Sequence, residues 1–94
     1  MAKRITIFRL YTEYKNISGI TKLADSDFES YTMYRANGRW QGIGEKSLII
    51  EIIAQDRELP GMTTRVFDLA RRIKKLSKQQ AVWVTSNRAH GALI

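Results

Sequence analysis

Residues 31–54, YTMYRANGRWQGIGEKSLIIEIIA, read as two strands and the reversal between them. Side chains alternate along a strand. Ser47 to Ala54 therefore sets Leu48, Ile50, Ile52 and Ala54 on one face, and Ile49, Glu51 and Ile53 on the other. A strand apolar on both faces belongs at the centre of a sheet that is covered twice. Tyr31 to Ala36 alternates too, and two places could turn the chain back. Asn37-Gly38 has the residue types that supply two φ > 0 positions, so it could close a small hairpin onto Arg39-Trp40-Gln41. Alternatively Asn37-Gly38 is a bulge within one longer arm, and the reversal falls at Gly42-Ile43-Gly44-Glu45-Lys46. The second is expected here, because Ser47 to Ala54 is the obvious returning strand.

Working outward, Lys3 to Thr12 (KRITIFRLYT) is β-branched and aromatic and reads as a first strand. Ile5, Ile7, Arg9 and Tyr11 share one face; Thr6, Phe8, Leu10 and Thr12 share the other. Asn16 to Ser30 spaces Ile17, Ile20, Leu23, Ala24 and Phe28 as a short helix, with Asn16 as a possible cap and Gly19 as a cost. Gln55 to Gly61, ending in the only Pro and a Gly, reads as a loop. Thr63 to Lys78 is the strong helix, with the stripe Val66, Leu69, Ala70, Ile73, Leu76 and Ser77. Thr63 as N-cap would place Met62 and Phe67 for a hydrophobic staple. Ala81 to Ser86 is a last strand, and Arg88 to Ile94 a tail.

The order β, α, β, β, α, β in one short chain predicts an α+β, ferredoxin-like sandwich. Four antiparallel strands would carry both helices on one face, with residues 1–94 as a single domain. The other face is apolar on the first, third and fourth strands. Burying one Ile or Leu contributes on the order of 1.5–3 kcal/mol, so a second copy stacked sheet to sheet is expected to cover that face, as a homodimer or higher homo-oligomer.

Composition narrows the function. The chain has 94 residues, no Cys and one His, with a net charge of +7. Disulfides, thiol nucleophiles and Cys-type zinc sites are excluded. No apolar run approaches the roughly 20 residues of a membrane span, and Met1 to Thr6 has no leader-like stretch. A cytoplasmic protein without a membrane partner is expected. Residues 1–62 hold nine Lys/Arg against eight Asp/Glu, whereas residues 63–94 hold seven against one. That imbalance points to an anionic partner.

Catalytic and metal sites find little support. His90 sits in the tail with no third group to hold it, as a Ser-His-Asp site requires. Asp25, Asp27 and Glu29 have the spacing of calcium ligands but lack the Gly and distal Glu of a calcium hand. No catalytic residue, metal or cofactor is expected. Gly42-Ile43-Gly44 could bring backbone N–H groups to a phosphate, but it does not open a helix and reads as a hairpin tip. Glu45 and Ser47 stand at the mouth of the central strand, able to meet a ligand or to terminate the strand. Arg9 and Glu51, charges within apolar strands, are placed to pair. Tyr11, Tyr34, Trp40 and Trp83 could stack a base or fill an interface. Arg65, Arg71, Arg72, Lys74, Lys75 and Lys78 form an exposed basic arc. It lacks interleaved aromatics and a preceding helix, so it suits non-specific phosphate attraction rather than sequence reading.

The run Thr32-Met33-Tyr34-Arg35-Ala36-Asn37-Gly38-Arg39-Trp40, then Glu45-Lys46-Ser47 with its apolar strand, then Gln79-Gln80-Ala81-Val82, resembles a bacterial family of unknown function over residues 31–86. Its marks are Gly-x-Trp, Glu-x-Ser and Gln-x-x-Val. The resemblance implies the ferredoxin-like fold and no activity. In size and charge the chain is also similar to small phage-encoded proteins that inhibit or sequester host components. The expected function is a non-enzymatic, oligomeric binder of an anionic ligand, a nucleotide or nucleotide-like signal, in its specific form a phage counter-defence sequestering protein. Its site would use Arg9, Tyr11, Arg35, Arg39, Trp40, Glu45 and Ser47. The alternative is an inhibitor that grips a protein or nucleic acid through Arg71, Arg72, Lys74, Lys75 and Lys78.

Overall fold

A computed structural model describes residues 3–94; the reading of Met1 and Ala2 as leaderless lies outside them. The elements run β1 (Lys3–Glu13), α1 (Ile17–Asp27), β2 (Thr32–Trp40), β3 (Ile43–Gln55), a short 3-10 turn (Asp56–Glu58), α2 (Gly61–Leu76) and β4 (Trp83–Gly91). The strands form one antiparallel sheet in the order β2-β3-β1-β4, the ferredoxin-like α+β arrangement.

Both helices lie on one face. Phe8 and Leu10 of β1, and Leu48, Ile50, Ile52 and Ala54 of β3, meet Ile20 and Ala24 of α1 and Val66, Leu69, Ala70 and Ile73 of α2 in one buried cluster. Leu76 ends the α2 stripe half-exposed, where its side chain lies over α1. The contact explains Gly19: a Cβ there would stand 2.7 Å from Asn16 Oδ1 and 3.0 Å from Leu76 Cδ2. Close helix approach offsets the helix cost of that glycine. Asn16 occupies the N-cap position with φ 53 and makes no side-chain cap bond.

Several boundaries differ from those the sequence predicts. Helix α2 begins at Gly61 with Pro60 at its N-cap, not at Thr63. Pro suits a helix entry because it has no N–H to leave unpaired. With Pro60 as N-cap, the staple positions fall on Leu59 and Thr64 rather than on the expected Met62 and Phe67. Strand β4 runs to Gly91, so His90 lies in a strand opposite Arg4 and not in a tail. The residues after Ser86 have little strand propensity; the full length of β1 provides the pairing edge that recruits them.

After α2, Lys78 takes φ 53 and the N–H of Gln79 donates to Lys74 O at 3.0 Å. This is a Schellman ending, built on Lys where Gly is usual. It aims the buried Gln79 at β1: Glu13 N–H donates to its Oε1 at 3.0 Å, and its Nε2 donates to the Thr12 hydroxyl. One amide thus joins the α2–β4 connection to the end of β1. Tyr31, just before β2, donates its hydroxyl to Asp25; burial and that carboxylate push its phenol up to about 12. Ser77 Oγ, by contrast, is buried without a partner.

Gln79→Ala leaves the Glu13 N–H without its acceptor and takes from the buried Thr12 hydroxyl the donor it now accepts from. It should lower unfolding free energy by about 1–3 kcal/mol in urea titration, whereas Ser77→Ala should be neutral or mildly stabilising.

Candidate functional site

The register fixes which side chains share the face that the helices leave open. Tyr34, Ile49, Tyr11 and Trp83 stand side by side across all four strands. Ile49 is buried between its two tyrosine neighbours although no helix covers it. Beside this aromatic belt runs a polar row: Thr32, Glu51, Arg9, Thr85. Arg9 Nε donates to Glu51 Oε2 at 2.8 Å and Arg9 Nη1 to Asn87 Oδ1 at 3.3 Å; the Tyr34 hydroxyl reaches the same Glu51 oxygen at 3.4 Å. The hydrogen bond to Glu51 raises the Arg9 guanidinium above its ordinary value. Arg9 is thus already matched to a carboxylate, and its pull on a further anion is reduced.

Charge is divided by face. On the strands, the open face carries Lys3 and Arg9 against Glu13, Glu45 and Glu51, two Lys/Arg against three Glu, in a chain of net charge +7. The excess cations lie on the helix side and on the helices. Large apolar side chains also stand exposed on the open face: Trp83 is 76% exposed, Trp40 64%, Ile43 67% and Ile53 57%.

The hairpin β2–β3 projects past the rest of the sheet, since β1 pairs with β3 only as far as Ser47. The reversal is a two-residue turn at Gln41-Gly42, with φ 50 and φ 79. Two positive φ values in succession are those of a type I′ turn, the tight hairpin reversal. Asn37-Gly38 is neither turn nor bulge: Asn37 faces Lys46 and Gly38 faces Glu45 in unbroken register. The reversal does not spread over Gly42 to Lys46 either, because Ile43 already pairs with Trp40.

These placements divide the seven predicted ligand residues. Arg9, Tyr11, Trp40, Glu45 and Ser47 belong to the open face; Arg35 and Arg39 point to the other side by alternation. Arg35 stacks over Tyr14 at 5.4 Å, and Arg39 Nη2 donates to Gly42 O at 2.7 Å, bracing the turn. Even on the open face the set does not converge within one chain. The Trp40–Ile43 pair lies eight residues along β3 from Glu51, the partner of Arg9, about 27 Å at roughly 3.4 Å per residue. Trp83, grouped with Tyr11, Tyr34 and Trp40 from the sequence, stands on this face opposite Tyr11; Asn87 joins it unforeseen, because it lies in the added length of β4.

The basic arc is partly neutralised. Arg71 pairs with Asp68 and Arg72 with Asp27, each at 2.8 Å, and Arg65 donates to the Asp27 carbonyl while lying over Phe28. Lys74, Lys75 and Lys78 are exposed and make no salt bridge among the described residues. No helix of the described residues is long and apolar enough to cross a membrane.

No family model matches the chain, and no curated protein matches it. Solved structures do match. A nitrogen regulatory PII-like protein from Thiomonas intermedia, bound to ADP, AMP and bicarbonate, aligns with TM-score 0.64 at 11% identity, over 100% of this chain and 99% of that one. A phage SAM lyase in complex with S-methyl-5′-thioadenosine aligns with TM-score 0.67 at 14% identity, over 95% and 90%. A DUF3240 family protein from Shewanella baltica aligns with TM-score 0.58 at 8% identity, over 87% and 86%. At such identities the likeness is one of fold. It includes a domain of unknown function, while the Gly-x-Trp, Glu-x-Ser and Gln-x-x-Val marks find no family model.

Gln41→Asn puts the preferred Asn-Gly pair where the turn is, and should raise the melting temperature slightly. Gly42→Ala, with nothing but backbone strain against it, should cost about 1–2 kcal/mol. Thermal unfolding of the two variants checks both.

Proposed function

We propose that this chain is a homo-oligomeric binding protein for an adenosine-containing ligand, assembled through the open sheet face. The observation that carries the reading is that face: belted by aromatic side chains, nearly neutral in a strongly basic chain, and covered by neither helix. A large exposed apolar patch marks an interaction surface. Near-neutrality lets two copies of a +7 chain meet there with little of the repulsion that its net charge would otherwise bring. A second copy is therefore the occupant.

Assembly also answers the separation of Arg9 and Tyr11 from Trp40, Glu45 and Ser47. The projecting arm of one copy, with Trp40, Ile43 and Glu45, reaches beyond its own sheet. Set against the belt of a second copy, it would complete a cleft from two half-sites. Tyr11, Tyr34 and Trp83 offer faces to a base, and Glu45 and Ser47 offer an acceptor and a donor to ribose hydroxyls. The adenosine class is supported by two fold relatives, one solved with ADP and AMP and the other with S-methyl-5′-thioadenosine. In its specific form the protein would sequester a nucleotide signal for a phage; the small basic chain and one phage protein among the fold relatives support that form. The likeness to a lyase favours a second reading, in which the bound adenosine compound is cleaved. The alternative of a partner gripped by Arg71, Arg72, Lys74, Lys75 and Lys78 is weakened by the two carboxylates already on Arg71 and Arg72.

Light scattering should give a mass that is a multiple of one chain, and Ile53→Lys should reduce it to one chain without unfolding. Calorimetry with AMP, ADP, ATP, S-adenosylmethionine and S-methyl-5′-thioadenosine should show saturable binding to the wild type and loss in Trp83→Ala. Chromatography of the recovered ligands separates binding from cleavage. A monomeric wild type that binds none of the five would end the proposal.

A further inference from the structure

The other side of the sheet holds a second feature, in residues of one copy alone. Alternation turns Val84, Ser86, Arg88 and His90 of β4 toward the helix side. Helix α2 covers only part of this edge strand. A groove of about 270 Å³ remains between them, its walls including Thr6, Phe8, Phe67, Val84, Ser86 and Arg88. Beyond it, Arg4, Arg88, Ala89 and His90 border a further open space of about 370 Å³, and Arg88 belongs to both. The register explains the cluster: Arg4 lies opposite His90, and Arg88 opposite Thr6.

Three observations give this groove a ligand chemistry. First, none of Arg4, Arg88 or His90 has a carboxylate partner among the described residues, whereas Arg9, Arg71 and Arg72 each do. Two adjacent guanidinium groups and an imidazole without counter-charge form a site for an anion with several oxygens, because Arg donates in a fork. Second, Phe8, Phe67 and Val84 give the groove next to them apolar surface for a flat ring, beside the polar Thr63, Ser86 and Asn87. Third, Thr6 is only 6% exposed and lines that slot, so it places a hydroxyl-bearing side chain in the wall against which a bound group would lie.

We infer that the α2–β4 groove binds a small phosphate monoester of an aromatic or heteroaromatic group. The phosphate would lie between Arg4, Arg88 and His90, and the ring between Phe67 and Val84. The groove lies on the face opposite the aromatic belt and is complete in one copy. It is therefore independent of the oligomeric site proposed above.

Amide chemical shifts, followed by nuclear magnetic resonance during titration of phenyl phosphate, inorganic phosphate and phenol, test this directly. Phenyl phosphate should shift Thr6, Val84, Ser86 and Arg88 saturably, and bind about tenfold or more tightly than either fragment, since both ends of the site are used. Arg88→Glu, at an exposed edge position, should keep the spectrum of a folded protein and weaken binding at least about tenfold. Trp83→Ala, on the open face, should leave it unchanged, which separates this site from the adenosine reading. Equal affinity for phenyl phosphate and inorganic phosphate would reduce the groove to a general cation patch and overturn the inference. So would undiminished binding in Arg88→Glu, or shifts confined to α2.

Discussion

The register between β1 and β3 governs the rest of the structure. It sets Leu10 against Ile50 under the helices and Arg9 against Glu51 on the open side. A slip of one residue would exchange the two faces of a strand, burying Arg9 where Leu10 now lies. The core and the ion pair therefore require the same alignment from opposite sides. The Arg9–Glu51 contact is best understood as a specifier of register, because partly exposed ion pairs add little to stability. With these two strands aligned, β2 and β4 have only one way to extend the sheet: β2 along β3 to the Gln41-Gly42 turn, and β4 along the whole of β1.

Division of charge follows from that alignment. The basic last third of the sequence invites a picture of one cationic segment. In three dimensions the cations are sorted by face instead. Arg4, Arg35, Arg39, Lys46 and Arg88 point to the helix side, and the open face is left nearly neutral and aromatic. A strongly basic chain thus has one surface on which it can meet its own copy, and elsewhere surfaces that favour anions. A single strand register would accommodate both the proposed anion binding on the helix side and the proposed self-association on the open face.

Much of this was legible in the sequence because period-two alternation in Lys3–Thr12 and Ser47–Ala54 is strong, and because Val66, Leu69, Ala70 and Ile73 repeat at helical spacing. Those patterns predict the element order, the two sets of side chains on each strand and the Arg9–Glu51 contact, but not which set the helices cover. The hairpin turn was not legible. Asn37-Gly38 is the better turn dipeptide, yet the long pairing of Thr32–Trp40 with Ile43–Gln55 outweighs local preference and moves the reversal to Gln41-Gly42. The second half of β4 was hidden for a similar reason, since Asn87 to Gly91 become a strand only by pairing with β1. That missing half carries Arg88 and His90, so the cationic end of the α2–β4 groove could not be assembled from sequence. Arg35 and Arg39 show the limit of proximity along the chain: next to Tyr34 and Trp40, they face the opposite way.

The central claim is that the open face is covered by a second copy. Hydroxyl-radical footprinting at protein concentrations above and below the point of dissociation reads it at single residues. Trp83, Trp40 and Ile53, all well exposed in one chain, should be oxidised slowly in the concentrated protein and several-fold faster on dilution, while Phe67 and Leu76 on the helix side stay constant. If Trp83 and Trp40 are oxidised rapidly at every concentration, the open face is bare, and the account of its aromatic belt is wrong.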